Sequence, residues 1–160
     1  MSNEEIHSRD VARLLERTVT RAFKMRTDEI VPAFDKAEAT CLALVPSEEL
    51  KMEVKRRVAE WKMRLLCDRN APFETVEALH NNVVALGYTN LEIEGSTEIY
   101  FVQYCERQAR TDDVRRILHQ LRARLDGALR AENLEVYRHF KDVSAEVLSR
   151  INAGSPRSAG

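Results

Sequence analysis

The chain has 160 residues, 44% of them hydrophobic and 32% charged, and its net charge is −1. That length fits one domain and can bury a sizeable core, and the apolar content excludes a disordered chain. Near-neutrality excludes a global field that would draw the protein onto DNA or an anionic membrane, and five Gly and four Pro are too few for the turns of an all-β fold.

The first ten residues, MSNEEIHSRD, are polar and acidic. With no apolar core of a leader among them, no signal peptide is expected, and residues 1–7 are expected to fray. No apolar run reaches the roughly 18–20 residues that span a bilayer. Cys41, Cys67 and Cys105 are odd in number and form no CxxC pair. Neither a zinc site nor a disulfide framework is indicated, and buried thiols in a reducing cytoplasm are the expectation.

An apolar stripe begins at Val11 and runs through Leu15, Val19, Phe23, Ile30, Phe34, Ala37, Cys41 and Val45. Steps of three and four predict a helical face. Pro32 predicts a kink or a break, with Thr27-Asp28 capping a second helix and the first ending near Met25. One long kinked helix is the competing reading. Pro46-Ser47-Glu48-Glu49 stops and restarts the chain, with Ser47 as the cap. The next helix follows Leu50, Val54, Val58, Trp61 and Leu65 to about Cys67. Pro72 then opens a helix with the face Phe73, Val76, Leu79, Val83 and Leu86, and Gly87 stops it.

Residues 88–109 admit two readings. Alternation in Leu91-Glu92-Ile93-Glu94, a turn at Gly95-Ser96 and β-propensity from Ile99 to Tyr104 make a hairpin. The stripe Tyr88, Leu91, Gly95, Ile99, Val102, Cys105 and Ala109 makes a helix. The helix is preferred, because an isolated hairpin is marginal in an otherwise helical chain. Thr111-Asp112-Asp113 caps a helix with the stripe Val114, Leu118, Leu121, Leu125 and Leu129. The pattern continues as Val136, Phe140, Val143, Val147 and Ile151. Either one helix runs to Ile151, or a turn near 131–133 divides it; Gly127 and the polar Asn133 on the stripe favour two. The expected fold is all-α, an antiparallel helical bundle or stack of helical hairpins with six to seven helices. Residues 1–151 are read as a single domain and 152–160 as a disordered tail.

Charge is segregated along the chain. Residues 70–106 hold six Glu and no Lys or Arg, whereas 51–69 and 107–130 each hold seven basic residues against three acids. The acidic, aromatic centre suggests a surface built from Tyr88, Glu92, Glu94, Glu98, Tyr100 and Tyr104. The basic helix around Trp61 is explained by pairing with Glu53 and Glu60, or by packing against that acidic centre.

Tyr100 and Tyr104 on a first helix, the tight turn Arg110-Thr111-Asp112-Asp113, and Leu118 and Leu125 on a second resemble a tetratricopeptide-type unit from Ser96 to Leu129. The small residues of that family are missing at Arg110 and Val114. The resemblance implies a concave peptide-binding surface without catalysis. The run Leu118-His119-Gln120-Leu121-Arg122-Ala123-Arg124-Leu125 resembles the H-box of histidine kinases and phosphotransferases. That resemblance makes His119 a phospho-acceptor flanked by Arg115 and Arg122, although Gln120 replaces the usual acid and the Pro of the common pattern is absent.

Glu77 and His80 have the Glu-x-x-His spacing of helical di-iron sites, but the only second pair, Glu4 and His7, leaves the ligand set incomplete. No nucleophile elbow or Gly-rich phosphate loop is present. The sequence therefore reads as a non-enzymatic helical protein–protein interaction module of adaptor or scaffold type, without a cofactor. Its expected partner is a protein or peptide of basic character, or a second copy of itself, with no nucleic-acid or membrane partner. The alternative is a phosphotransfer module using His119.

Overall fold

The computed structural model describes residues 3–154, with side chains from Ser8 onward. Its seven α-helices are α1 (Asn3–Ala22), α2 (Thr27–Leu44), α3 (Glu48–Asp68), α4 (Phe73–Leu86), α5 (Leu91–Arg107), α6 (Thr111–Gly127) and α7 (Leu134–Asn152). A single 3₁₀ turn, Ala131–Asn133, precedes α7, and there is no strand among the described residues. The all-α expectation holds, and residues 91–107 are helical. Helix α1 begins at Asn3, within the stretch expected to fray. Of the tail, residues 155–160 lie outside the described residues.

The described residues fall into two compact units that meet between Gly87 and Tyr88 in sequence. In the first, α3 packs against α1, α2 and α4; in the second, α5, α6 and α7 pack together. The first core gathers Ile30, Phe34, Val54, Val58, Met63 and Val76. The second gathers Phe101, Tyr104, Ile117, Leu118, Leu121 and Leu125.

Three boundaries depart from expectation. The chain turns between Ala22 and Thr27, and α2 then runs through Pro32 without a break. Pro32 is exposed and lies early in the helix, so the carbonyl it leaves unbonded is near water. Thr27 and Thr111 are first helical residues, not caps. The cap positions belong to Arg26 and Arg110. The Arg26 amide donates to Glu29 Oε2 at 3.1 Å, and the Arg110 side chain donates to Asp113 at 2.8 Å. Ser47 and Asn90 are side-chain caps, accepting from the amides of Leu50 and Ile93 at 3.2 and 2.9 Å. Stripe residues just past helix ends, Phe23 and Leu129, are 62% and 40% exposed.

Helices α3 and α5 end in the same way. Asn70 and Ala109 adopt positive φ, 50° and 57°. Ala71 and Arg110 then donate back to the carbonyls of Leu66 and Cys105 at 3.1 and 2.9 Å. This left-handed closure satisfies carbonyls that a helix end otherwise leaves free. At α1 the guanidinium of Arg69 does that work, donating to the carbonyls of Ala22, Phe23 and Met25 at 2.7–3.2 Å.

A constant offset of 84 positions relates the two units. It carries Thr27 to Thr111 at the helix starts, Asp68 to Asn152 at the helix ends, and Asn70 to Gly154 at positive φ. The same offset carries the buried stripe Ile30, Phe34, Ala37, Cys41 onto Val114, Leu118, Leu121, Leu125. Each unit is thus built on one three-helix plan, to which the first unit adds α4.

Candidate functional site

Four of the six Glu of the acidic centre sit on α5, and three of those four carboxylates face inward. Glu98 and Glu106 are buried. Tyr88 donates its hydroxyl proton to Glu98 Oε1 at 2.6 Å. Arg124 of α6 lies against both Glu94 and Glu98, the latter at 3.6 Å. Arg150 of α7 grips Glu106, with Nη2 to Oε1 at 2.9 Å and Nε to Oε2 at 3.4 Å. Two arginines from the neighbouring helices thus compensate acids taken out of water. Burial, and then the adjacent Glu98 carboxylate, push the Tyr88 phenol far above its ordinary range. The Glu106 hydrogen bond raises Arg150 further and keeps it charged.

This placement corrects the expected surface. Tyr104 is fully buried and stacks with Phe101 at a ring-centroid distance of 6.1 Å. Glu98 is buried beside Arg124, and Glu94 is only 14% exposed at its side chain. Of the six residues, Glu92 stays exposed, while Tyr88 and Tyr100 are half-buried. The physical reason is helical phase: residues 97–99 and 101–102 are all buried, so an acid at 98 shares the core-facing arc.

His119 is exposed on α6. Together with Arg115, Arg116, Arg122, Leu148 and Asn152 it lines an open groove of about 460 Å³ between α6 and α7. Arg115 reaches Asn152 Oδ1 at 3.5 Å, and Arg116 is held by Asp113 at 3.1 Å. Partial burial pushes the Asp113 carboxyl up, but hydrogen bonds from Arg110 and Arg116 outweigh it and hold that carboxyl low. Arg122 makes no ion pair among the described residues. The sequence-predicted trio of Arg115, His119 and Arg122 is therefore brought together on one open, cationic face.

Glu77 and His80 are not brought to a metal-binding arrangement. His80 is 7% exposed and belongs to the buried face of α4. Among the described residues, no group of three or more His, Cys, Asp or Glu is placed to hold a metal ion. The side chains of Glu4 and His7 lie outside the described residues. All three cysteines are buried and unpaired with one another. No described helix is long and apolar enough to cross a membrane.

A second groove, which the sequence reading passed over, lies between α1 and α3. Its floor is Ala12, Leu15, Val19 and Trp61, with Glu16, Thr20 and Arg57 at its edge, and it holds about 270 Å³. Glu16 and Thr20 also line an adjoining hollow with Arg13, Arg17 and Arg21. These arginines repeat every fourth residue, so they stand in one row up the helix. The spacing was legible in the sequence, but the α3 wall that turns the row into the flank of a groove was not.

No protein-family profile, characterised protein or solved structure matches this chain.

Proposed function

We propose that this chain is a non-enzymatic helical interaction module, an adaptor or scaffold, whose partner is an acidic protein segment. The observation that carries the reading is the division of charge. Three of the four acids of α5, Glu94, Glu98 and Glu106, are taken up inside the second unit by Arg124 and Arg150. The arginines at 13, 17, 21 and 122 are exposed and hold no ion pair among the described residues. Cations that hold no ion pair and border open grooves favour anionic partners and repel cationic ones. This reverses the sign of partner drawn from the acidic stretch, because three of its six acids, Glu94, Glu98 and Glu106, are paired with arginine.

The test is affinity capture by the full chain from a lysate of its native host at low ionic strength, with elution by salt. Support is a defined set of proteins carrying acidic segments, lost when Arg13, Arg17 and Arg122 are changed together to Glu. Capture that is salt-insensitive, or that survives the triple reversal, refutes the reading.

One observation favours a second reading. The exposed His119 stands one helical turn from Arg115 and from Arg122 in the α6–α7 groove, a geometry suited to holding a phosphoryl group on an imidazole nitrogen. Transfer from the aspartyl phosphate of a receiver domain would move the phosphoryl group to His119 and release the carboxylate. Incubation with labelled phospho-receiver should give an acid-labile label that His119→Gln abolishes. A wild-type chain that stays unlabelled with a matched panel removes this reading.

A further inference from the structure

We infer that the α1–α3 groove is the docking site for an amphipathic acidic helix of a partner protein; this rests on the module reading and gives it an address. Two independent features converge there. The first is the arginine row. Arg13, Arg17 and Arg21 are exposed, stand at i, i+4 and i+8, and have no ion pair among the described residues. Like charges at this spacing repel along a helix, so the row works against α1 in the isolated chain. An external row of carboxylates at the same interval relieves it. A helix rises about 6 Å over four residues, so a partner helix with Glu at every fourth position matches the row rung for rung.

The second feature is the apolar floor beside the row. Leu15 is buried, while Val19 and Trp61 are half-buried and border open space. The basic hollow and the apolar groove share Glu16 and Thr20, so they form one continuous surface. In the second unit, Phe140 of α7 lies directly against Gly95 of α5. Between α1 and α3 the seam remains open.

The shape selects among anions. A nucleic-acid duplex offers phosphates but no apolar ridge to enter a groove. A bilayer offers a broad surface, which suits a protruding apolar face and not a recessed one. A helix with Leu at i, i+3 or i+4 and i+7 fills a groove of this kind, and its flanking acids meet the arginines. Glu16, at the shared edge, is the one acid lining the surface. It disfavours a carboxylate directly above it, and so places the partner's acids over the arginine row.

Trp61 is the only tryptophan of the chain and reports occupancy directly. The test uses the full-length protein and a Trp-free peptide helix with Leu on one face and Glu at every fourth position beside it. Comparison probes are its Glu→Lys counterpart, a scrambled peptide of the same composition, a duplex oligonucleotide and phosphatidylserine vesicles. The expected result is a saturable blue shift of Trp61 emission with the acidic helix alone, weakened by salt. Arg13→Glu with Arg17→Glu should lower that affinity about tenfold or more, equivalent to about 1.4 kcal/mol, with unchanged circular dichroism. The same variant should gain affinity for the Lys peptide.

No shift with the acidic helix, or equal response to the scrambled peptide, overturns the proposal. So does a shift given by the duplex or the vesicles instead. If the acidic helix binds but is insensitive to Arg13 and Arg17 and sensitive to Arg122→Glu, the groove assignment falls while the module reading stands. Lysate capture that is salt-insensitive, or that survives the triple reversal, fells the module reading itself.

Discussion

Replacing Gly95 by alanine tests the close approach of α5 to α7. A Cβ built at Gly95 falls 2.4 Å from two ring carbons of Phe140 and 2.7 Å from a third. Phe140 is 5% exposed, so its ring has no open space to move into, and roughly 1 Å of displacement is needed to restore ordinary contact. Overpacking of this size costs about 1–3 kcal/mol. Alanine returns about 1 kcal/mol through its better helix propensity. The single variant should therefore lose up to about 2 kcal/mol in urea denaturation followed by far-UV circular dichroism. Phe140→Ala removes all three clashing ring atoms and alone costs about 3–5 kcal/mol. In that background the sign should flip, with Gly95→Ala now stabilising by about 1 kcal/mol. The coupling from the full cycle should reach about 2 kcal/mol, as expected for residues in contact. If Gly95→Ala stabilises the wild type and the Phe140→Ala variant equally, the two helices do not meet as described.

Three further outcomes follow from particular residues. Ala109 holds φ at 57°, where a Cβ is strained, so Ala109→Gly should stabilise by about 0.5–1 kcal/mol despite its extra freedom when unfolded; a loss in chemical denaturation would contradict the left-handed turn. Arg69→Ala removes three hydrogen bonds to carbonyls at the end of α1 and should cost about 1.5–3 kcal/mol, a typical value for hydrogen bonds to a charged group; Arg69→Lys should recover only part of it, because an ammonium lacks the planar fork. Burial, opposed by Arg64, raises the Glu60 carboxyl above its ordinary value of 4.5. Its folded form therefore holds a proton to higher pH than its unfolded form. Stability contributed by this group is full below about pH 4.5 and is lost as pH rises through the raised value. Glu60→Gln should raise the Tm at pH 7 and change it little at pH 4; the opposite ordering would mean that Glu60 is stabilised as a carboxylate.

The helical period carried most of the fold, and the places where it failed share a cause. Ile30, Phe34, Ala37 and Cys41, and again Val114, Leu118, Leu121 and Leu125, are buried as their spacing requires. Phe23 and Leu129 keep the phase but lie beyond the last helical residue, and phase says nothing about where a helix stops. The stop before Asn70 was legible to within a residue, whereas the one at Ala109 lacks the glycine or asparagine that normally marks a left-handed end and was not. The candidate site was less legible than the fold. Charge reversal along the sequence identified which segments attract one another, and Arg124 against Glu94 and Glu98 is that attraction realised. It allowed for the attraction to be satisfied within the chain, but not for which acids would be taken up, because pairing depends on which arc of α5 faces α6 and α7. His119 with Arg115 and Arg122 was legible for the opposite reason, since all three lie on one helix, each arginine about one turn from His119. The α1–α3 groove needs two helices distant in sequence, and no local pattern contains it.

The shared three-helix plan also predicts unequal tolerance to mutation. Helices α3 and α7 occupy the same slot of the plan and end at equivalent residues. Yet α3 has neighbours in α1, α2 and α4, whereas α7 packs against α5 and α6. Accordingly α3 buries nine residues, Glu60 and Lys62 among them, and α7 only four. A saturation mutagenesis library should find α3 constrained around most of its circumference and α7 constrained along a single line through Phe140, Ser144, Val147 and Ile151. Substitution is therefore freer at α7 than at α3, although both fill the same place in the three-helix plan.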